Sequence, residues 1–306
     1  MSAAVTRQMK RGARFLDPEV IARIDRIDLL ARTVVEGFIN GLHRSPYLGF
    51  SMDFAEHRQY MPGDDIRRID WKVFARSDRF YVKEFEAESN TNFMAILDVS
   101  RSMDFGTGGI TKFDYARYLA ACLTYFANKQ RDRVAFASFD DDIVDYVPPS
   151  AKHLDTILHV IDRMQPGGRS DYLKPLLKIT EAAKRRGIVV LVSDLYEEPR
   201  KVVDAVNNLR FRGHDVIVYQ VLDRAEIEFD FDESATYEDL ETGQSVPVVP
   251  GRMREQYKEM MAEHLEEISS LMISNQIDYG LLLTDQPLDE ALFRYLTLRE
   301  RLGRVR

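Results

Sequence analysis

Cysteine is almost missing from this chain of 306 residues: Cys122 stands alone, so there is no internal disulfide and no cysteine-rich metal site. It falls on a helical apolar pattern and reads as a small buried hydrophobe. No apolar run approaches the roughly 18 residues of a membrane span, and no signal-peptide core follows the basic stretch Met1 to Arg14. Low-complexity segments, the usual mark of disorder, are lacking as well. Positive charge is in deficit: the net charge of −8 argues against generic nucleic-acid binding. None of the six histidines stands in a Gly-X-Ser-X-Gly context or at HExxH spacing, which removes the common hydrolase signatures. With 45% apolar residues the chain can bury a substantial core, and a cytoplasmic protein is expected.

The stretch that organises the rest is Phe93-Met-Ala-Ile-Leu-Asp-Val-Ser-Arg-Ser102. Phe93 to Leu97 is an unbroken apolar run that suits a central strand of a parallel sheet, buried on both faces. Asp98, Ser100 and Ser102 follow on alternate residues, placed on a loop beyond the strand and outside the core. Alternate oxygens on a tight loop can converge on a hard cation such as Mg2+ or Mn2+. A second apolar run, Ile188 to Val192, ends in Ser193-Asp194. Between them, Pro166-Gly-Gly-Arg-Ser-Asp171 opens a helix.

From Asn92 onward, strand and helix patterns alternate, which predicts an α/β fold with a doubly wound, mostly parallel sheet. The strand Ile143 to Val147 follows Arg133 to Phe139 after a tight Asp140-Asp-Asp turn, and is expected antiparallel at an edge. In strand order 3-2-1-4-5-6 the strands before Asp98 and Asp194 are neighbours at the point where the order reverses, the usual ligand crevice. Asp98, Ser100, Ser102, Ser170 and Asp194 then gather there: hydroxyls and one carboxylate would hold a cation directly, the other carboxylate through water. Residues 1–90 are expected to supply an N-terminal helix, unbroken from Asp17 to Gly37, and a charged segment packing on the core. Residues 91–306 supply the sheet, with a hairpin insertion at about 225–251. In Tyr60 to Trp71, four charges crowd around the only tryptophan, which reads as a buried structural knot.

Enzyme readings fare poorly. An aspartyl-phosphate phosphatase would need a second acid at position 100, where Ser100 stands. Gly106 to Lys112 is glycine-rich yet lacks the P-loop ending. A non-enzymatic protein is expected, with a Mg2+-dependent phosphohydrolase using Asp98, or a scaffold with an empty metal loop, as alternatives.

Asp98-Val-Ser-Arg-Ser102, with Ser170 and Asp194, resembles the adhesion-site signature of von Willebrand factor type A domains. That resemblance implies Mg2+ held with one position open to a carboxylate from a partner protein. Glu56-His-Arg-Gln-Tyr60, Pro62-Gly-Asp-Asp65, Arg68-Ile-Asp-Trp71 and Ala75-Arg76 resemble the hallmark of a bacterial family called domain of unknown function 58. This second resemblance covers nearly the whole chain, from about Leu42 to the last helix, and implies an adaptor or chaperone-like partner of a MoxR-type AAA+ ATPase. The chain departs from the family pattern in reading Gly167-Gly-Arg-Ser170 for Gly-Gly-Thr, and in lacking the N-terminal membrane helices of many relatives.

Overall fold

Strand β3 (Asn92–Asp98) is central in a sheet of six strands ordered β10-β7-β6-β3-β4-β5. The computed structural model describes residues 18–43, 57–60, 71–77, 79–83, 91–229, 235–238, 245–248 and 250–305. The other members are β4 (Arg133–Phe139), β5 (Ile143–Ser150), β6 (Gly187–Ser193), β7 (Asp215–Leu222) and β10 (Asp278–Leu283). All pair parallel except β5, which runs antiparallel to β4 at the edge. The order reverses between β3 and β6, as expected, and the topology is consistent with a von Willebrand factor A-like sheet.

Side-chain alternation along β3 divides the core into two layers. Met94 and Ile96 pack with Leu176 and Ile179 of α5 (Leu173–Ala182), Val202 and Val206 of α6 (Pro199–Phe211) and Ile268 and Met272 of α8 (Pro250–Ser274). On the opposite face Phe93 meets Tyr295 of α9 (Asp289–Val305) edge to face at 5.5 Å. Tyr295 in turn meets Phe126 of α3 (Lys112–Lys129) at 5.9 Å. Cys122 is free and buried on α3, as its pattern predicts. Arg299 of α9 reaches the buried Asp132 carboxylate just before β4, a two-nitrogen ion pair that pins the last helix.

The N-terminal helix is not continuous. A single helical turn at Pro18–Ile21 is followed by α1 (Ile27–His43), where Asp28 in the first turn takes the Arg26 guanidinium at 2.6 Å and favours a fresh helix start. Its apolar stripe, Leu30, Ala31, Val34 and Val35, is buried.

Edge strand β5 carries Pro148-Pro149, and its register with β4 shifts at two places. The Pro148 carbonyl accepts from His153 Nδ1 at 2.8 Å and the Pro149 carbonyl from Arg133 at 3.5 Å. Helix α4 (Leu154–Arg163) follows. After β7 comes α7 (Arg224–Glu228), a capped turn where the sequence pattern suggested the start of an insertion; the hairpin itself is β8 (Ala235–Glu238) with β9 (Ser245–Val248).

The described residues form two compact units: those up to 38 with those from 91 onward, and those between 39 and 90. In the second unit β1 (His57–Gln59) pairs antiparallel with β2 (Tyr81–Lys83), and α2 (Trp71–Ser77) lies between them in sequence. Residues 61–70 of the charged segment lie outside the described residues. Trp71 is 60% exposed, contrary to its expected burial, and touches Phe74, which stacks on Phe80 at 4.4 Å. Among the described residues no helix is long and apolar enough to cross a membrane.

Candidate metal centre

Asp98 closes β3 instead of lying beyond it, and its side chain is fully buried, which corrects the expectation of a loop residue outside the core. Its carboxylate is held by local geometry. Oδ1 accepts the Ser100 N–H at 2.9 Å, and Oδ2 accepts the hydroxyls of Ser193 at 2.7 Å and Tyr172 at 3.1 Å. Burial in this apolar frame, with the Asp194 charge nearby, pushes the Asp98 carboxyl up to about 6. Past Asp98 the chain turns into a short 3-10 helix at Arg101–Asp104, which places the Ser100 and Ser102 hydroxyls 3.1 Å apart.

The loop before α5 is laced to this turn. Gly167 N donates to Val99 O at 2.8 Å and Arg101 N donates to Gly168 O at 3.0 Å. Gly168 lies against Asp140: a Cβ there would meet its carboxylate at 2.6 Å, so the Asp140 side chain would have to shift. Ser170 lies on this loop, and its Oγ is buried near the Tyr172 hydroxyl without a hydrogen bond of good geometry. A buried hydroxyl left without one is rare and marks either a strain point or a position for an absent ligand.

Asp194 follows β6 directly, beside Asp98 because Leu97 and Val192 are register partners in the parallel pair. The next residue, Leu195, is held at φ 57°, a left-handed conformation that branched side chains avoid. Burial of the Leu195 side chain in the core over-determines that turn. Asp194 Oδ2 accepts from the Lys112 ammonium at 2.9 Å, and its backbone carbonyl accepts from Gln220 Nε2 at 2.8 Å.

Sequence reasoning did not find Lys112 or Glu226. Lys112 opens α3, is completely buried, and donates also to Glu226 Oε1 at 2.7 Å, with the Tyr196 ring 4.6 Å away. Lys112 lies three residues before Tyr115 and seven before Leu119 on the buried stripe, a placement that betrays an interior lysine. Glu226 is the third residue of a capping box opened by Asp223, a pattern readable in the sequence.

The side chains expected to gather here, two carboxylates and three hydroxyls, offer oxygen alone, the donor type that Mg2+ and Mn2+ take. Among the described residues no three histidine, cysteine or acidic side chains cluster in metal-binding fashion. Contacts tie Asp98, Ser100 and Ser102 together directly, Ser170 through its loop, and Asp194 through strand register. Around them Asp194 and Glu226 share one ammonium, Lys112, and the buried Asp98 carboxyl lies within reach of the Asp194 charge.

The family described as Protein of unknown function DUF58 matches residues 56–267. The chain belongs to the DUF58 family. Its relatives include the uncharacterized proteins Rv1480 of Mycobacterium tuberculosis and Mb1516 of Mycobacterium bovis. Each is 26% identical over 297 residues, spanning 93% of this chain and 91% of the relative. Among solved structures, the conserved hypothetical protein BatB of Bacteroides thetaiotaomicron aligns with a TM-score of 0.46 at 15% identity, over 69% of this chain and 99% of that one. The SpRpn10 VWA domain aligns with a TM-score of 0.40 at 11% identity, over 66% of this chain and 93% of that one. The DUF58 match begins at Glu56, the first residue of the signature read from the sequence.

Proposed function

We propose that this DUF58 protein is a non-enzymatic, metal-dependent adaptor. In this reading Asp98, Ser100, Ser102, Ser170 and Asp194 hold Mg2+ or Mn2+, and a partner protein contributes an acidic side chain. The observation that carries it is the gathering of the buried Asp98 carboxylate, the Ser100 and Ser102 hydroxyls and a buried Ser170 Oγ without a well-formed hydrogen bond at the end of β3. When bound, the cation supplies positive charge and a position that a carboxylate can occupy. The protein's own residues do the rest. Ser193 and Tyr172 orient Asp98 by hydrogen bonds. The Ser100 N–H fixes the tight turn, and the Gly167-Gly168 lacing presents Ser170. Without the cation, an acidic partner loop would meet Asp98 and Asp194 and be repelled. In this reading the partner is a MoxR-type AAA+ ATPase, the association that the family resemblance implies.

The test is capture of a purified MoxR-type ATPase from the same genome, in Mg2+ and in EDTA, beside calorimetry with Mg2+ and Mn2+. Capture in Mg2+, release in EDTA and restoration by excess Mg2+ are expected. One acidic residue on the ATPase contact loop should be indispensable. Calorimetry without binding heat for either ion would overturn the metal reading. Capture unchanged by EDTA would place the interface elsewhere.

A further inference from the structure

A lysine ammonium against a candidate metal ligand works against the gathering of negative charge. Lys112 Nζ lies 2.9 Å from Asp194 Oδ2 and 2.7 Å from Glu226 Oε1, with no part of its side chain exposed. The arrangement is built, not incidental. Thr111 caps α3 and fixes Lys112 at its first position. On the other side, Glu226 Oε2 accepts the Asp223 N–H at 2.8 Å, so both Glu226 oxygens are committed. Asp223 is itself clamped by the Thr107 N–H and hydroxyl, the Ala225 N–H and the Thr284 hydroxyl. Neither Lys112 nor Glu226 belongs to the oxygen set proposed to hold the cation, yet both carry full charges in the low-dielectric region next to it. Charges there act over several ångströms with little screening.

We infer that Lys112 and Glu226 are a charge-tuning pair that sets the affinity of the centre for a divalent cation. This rests on the metal reading above. Lys112 draws on Asp194 and repels an incoming cation, and Glu226 offsets that repulsion while keeping the ammonium in place. The pair resembles the outer partners that orient and tune metal ligands in many sites, with the unusual feature that one member is cationic.

The experiment is calorimetric titration of Mg2+ and of Mn2+ into four forms of the full chain at pH 8. These are the wild type, Glu226→Gln, Lys112→Met and the double variant, each checked by circular dichroism and thermal melting. Affinity should follow net buried charge. Lys112→Met should bind tightest, the wild type and the double variant should agree within about threefold, and Glu226→Gln should bind at least about tenfold more weakly. A merely structural pair would weaken binding in all three variants alongside stability, with the double variant no better than the singles. That pattern, or a Glu226→Gln affinity equal to wild type, overturns the tuning role. If Lys112→Met does not fold, Glu226→Gln and the charge-conserving double variant decide. A wild type that binds neither ion overturns the centre and the tuning together. A wild type that binds, with a flat variant series, overturns the tuning alone.

Discussion

Removing the Asp98 charge while keeping its shape should stabilise the metal-free protein, against the usual sense of a mutation at a buried hydrogen-bonded site. The carboxyl has an ordinary value of 3.8 and stands at about 6 in the fold, raised first by burial and then by Asp194. The sign follows from linkage: below 3.8 the group is protonated in both states and contributes nothing. Between those values the unfolded chain ionises first, and stability falls as pH rises. Above about 6 the full penalty stands, about 3 kcal/mol. Asp98→Asn abolishes it and forfeits part of the acceptance from the Ser193 and Tyr172 hydroxyls, about 1 kcal/mol. In EDTA at pH 8 the variant should therefore exceed wild type by about 1–3 kcal/mol, a few degrees in Tm. Lowering the pH to 5 should narrow that gap by roughly 1.5 kcal/mol, because the wild-type carboxyl takes up its proton. Thermal melts of both proteins at both pH values isolate the effect of Asp98 together with its coupling to Asp194, since the remaining titrating groups are common to them. Excess Mg2+ should raise the wild-type Tm and leave Asp98→Asn unmoved. A gap that stays constant between pH 5 and 8 would refute the reasoning, and so would a variant less stable than wild type at pH 8.

Ser170→Ala removes a buried hydroxyl that makes no well-formed hydrogen bond, so the metal-free Tm should change little while Mg2+ affinity falls in calorimetry. That loss should be smaller than for Asp98→Ala, which deletes a charge and leaves two hydroxyls and one N–H without their acceptor. Trp71→Ala should change the melting temperature little, because the indole is largely exposed, and wild-type fluorescence should resemble that of indole in water. Arg299→Met strands the buried Asp132 carboxylate and should cost about 3–5 kcal/mol in urea unfolding, recovered in part by adding Asp132→Asn.

The sheet was legible because its strands are apolar runs of strand length, and a three-residue turn forces β5 to an antiparallel edge. Strand register then carries Asp98 and Asp194 to neighbouring ends without help from any side chain. Three features escaped. The break before α1 depends on a local ion pair, Arg26 with Asp28, inside a pattern whose apolar spacing runs straight through it. The burial of Asp98 depends on Tyr172 and Ser193, which come from two other segments distant in sequence. Lys112 was hidden by its own chemistry: a lysine reads as solvent-facing until two carboxylates, from segments 82 and 114 residues away, are brought to it. Trp71 shows the converse, since an aromatic crowded by charges suggests a packed knot and yet the ring faces water.

The proline pair in β5 restricts how another chain can engage this sheet. In an antiparallel edge strand, successive N–H groups point alternately inward and outward. Two consecutive prolines remove two N–H donors from this end of the strand, where the register with β4 also shifts. The Pro148 and Pro149 carbonyls are already engaged by His153 and Arg133, so the acceptors at this end are engaged as well. An incoming β-strand finds no ladder to extend there, and two register shifts twist the strand away from any straight template. Strand addition is disfavoured at the proline end of this rim, which guards that end against pairing with copies of the chain.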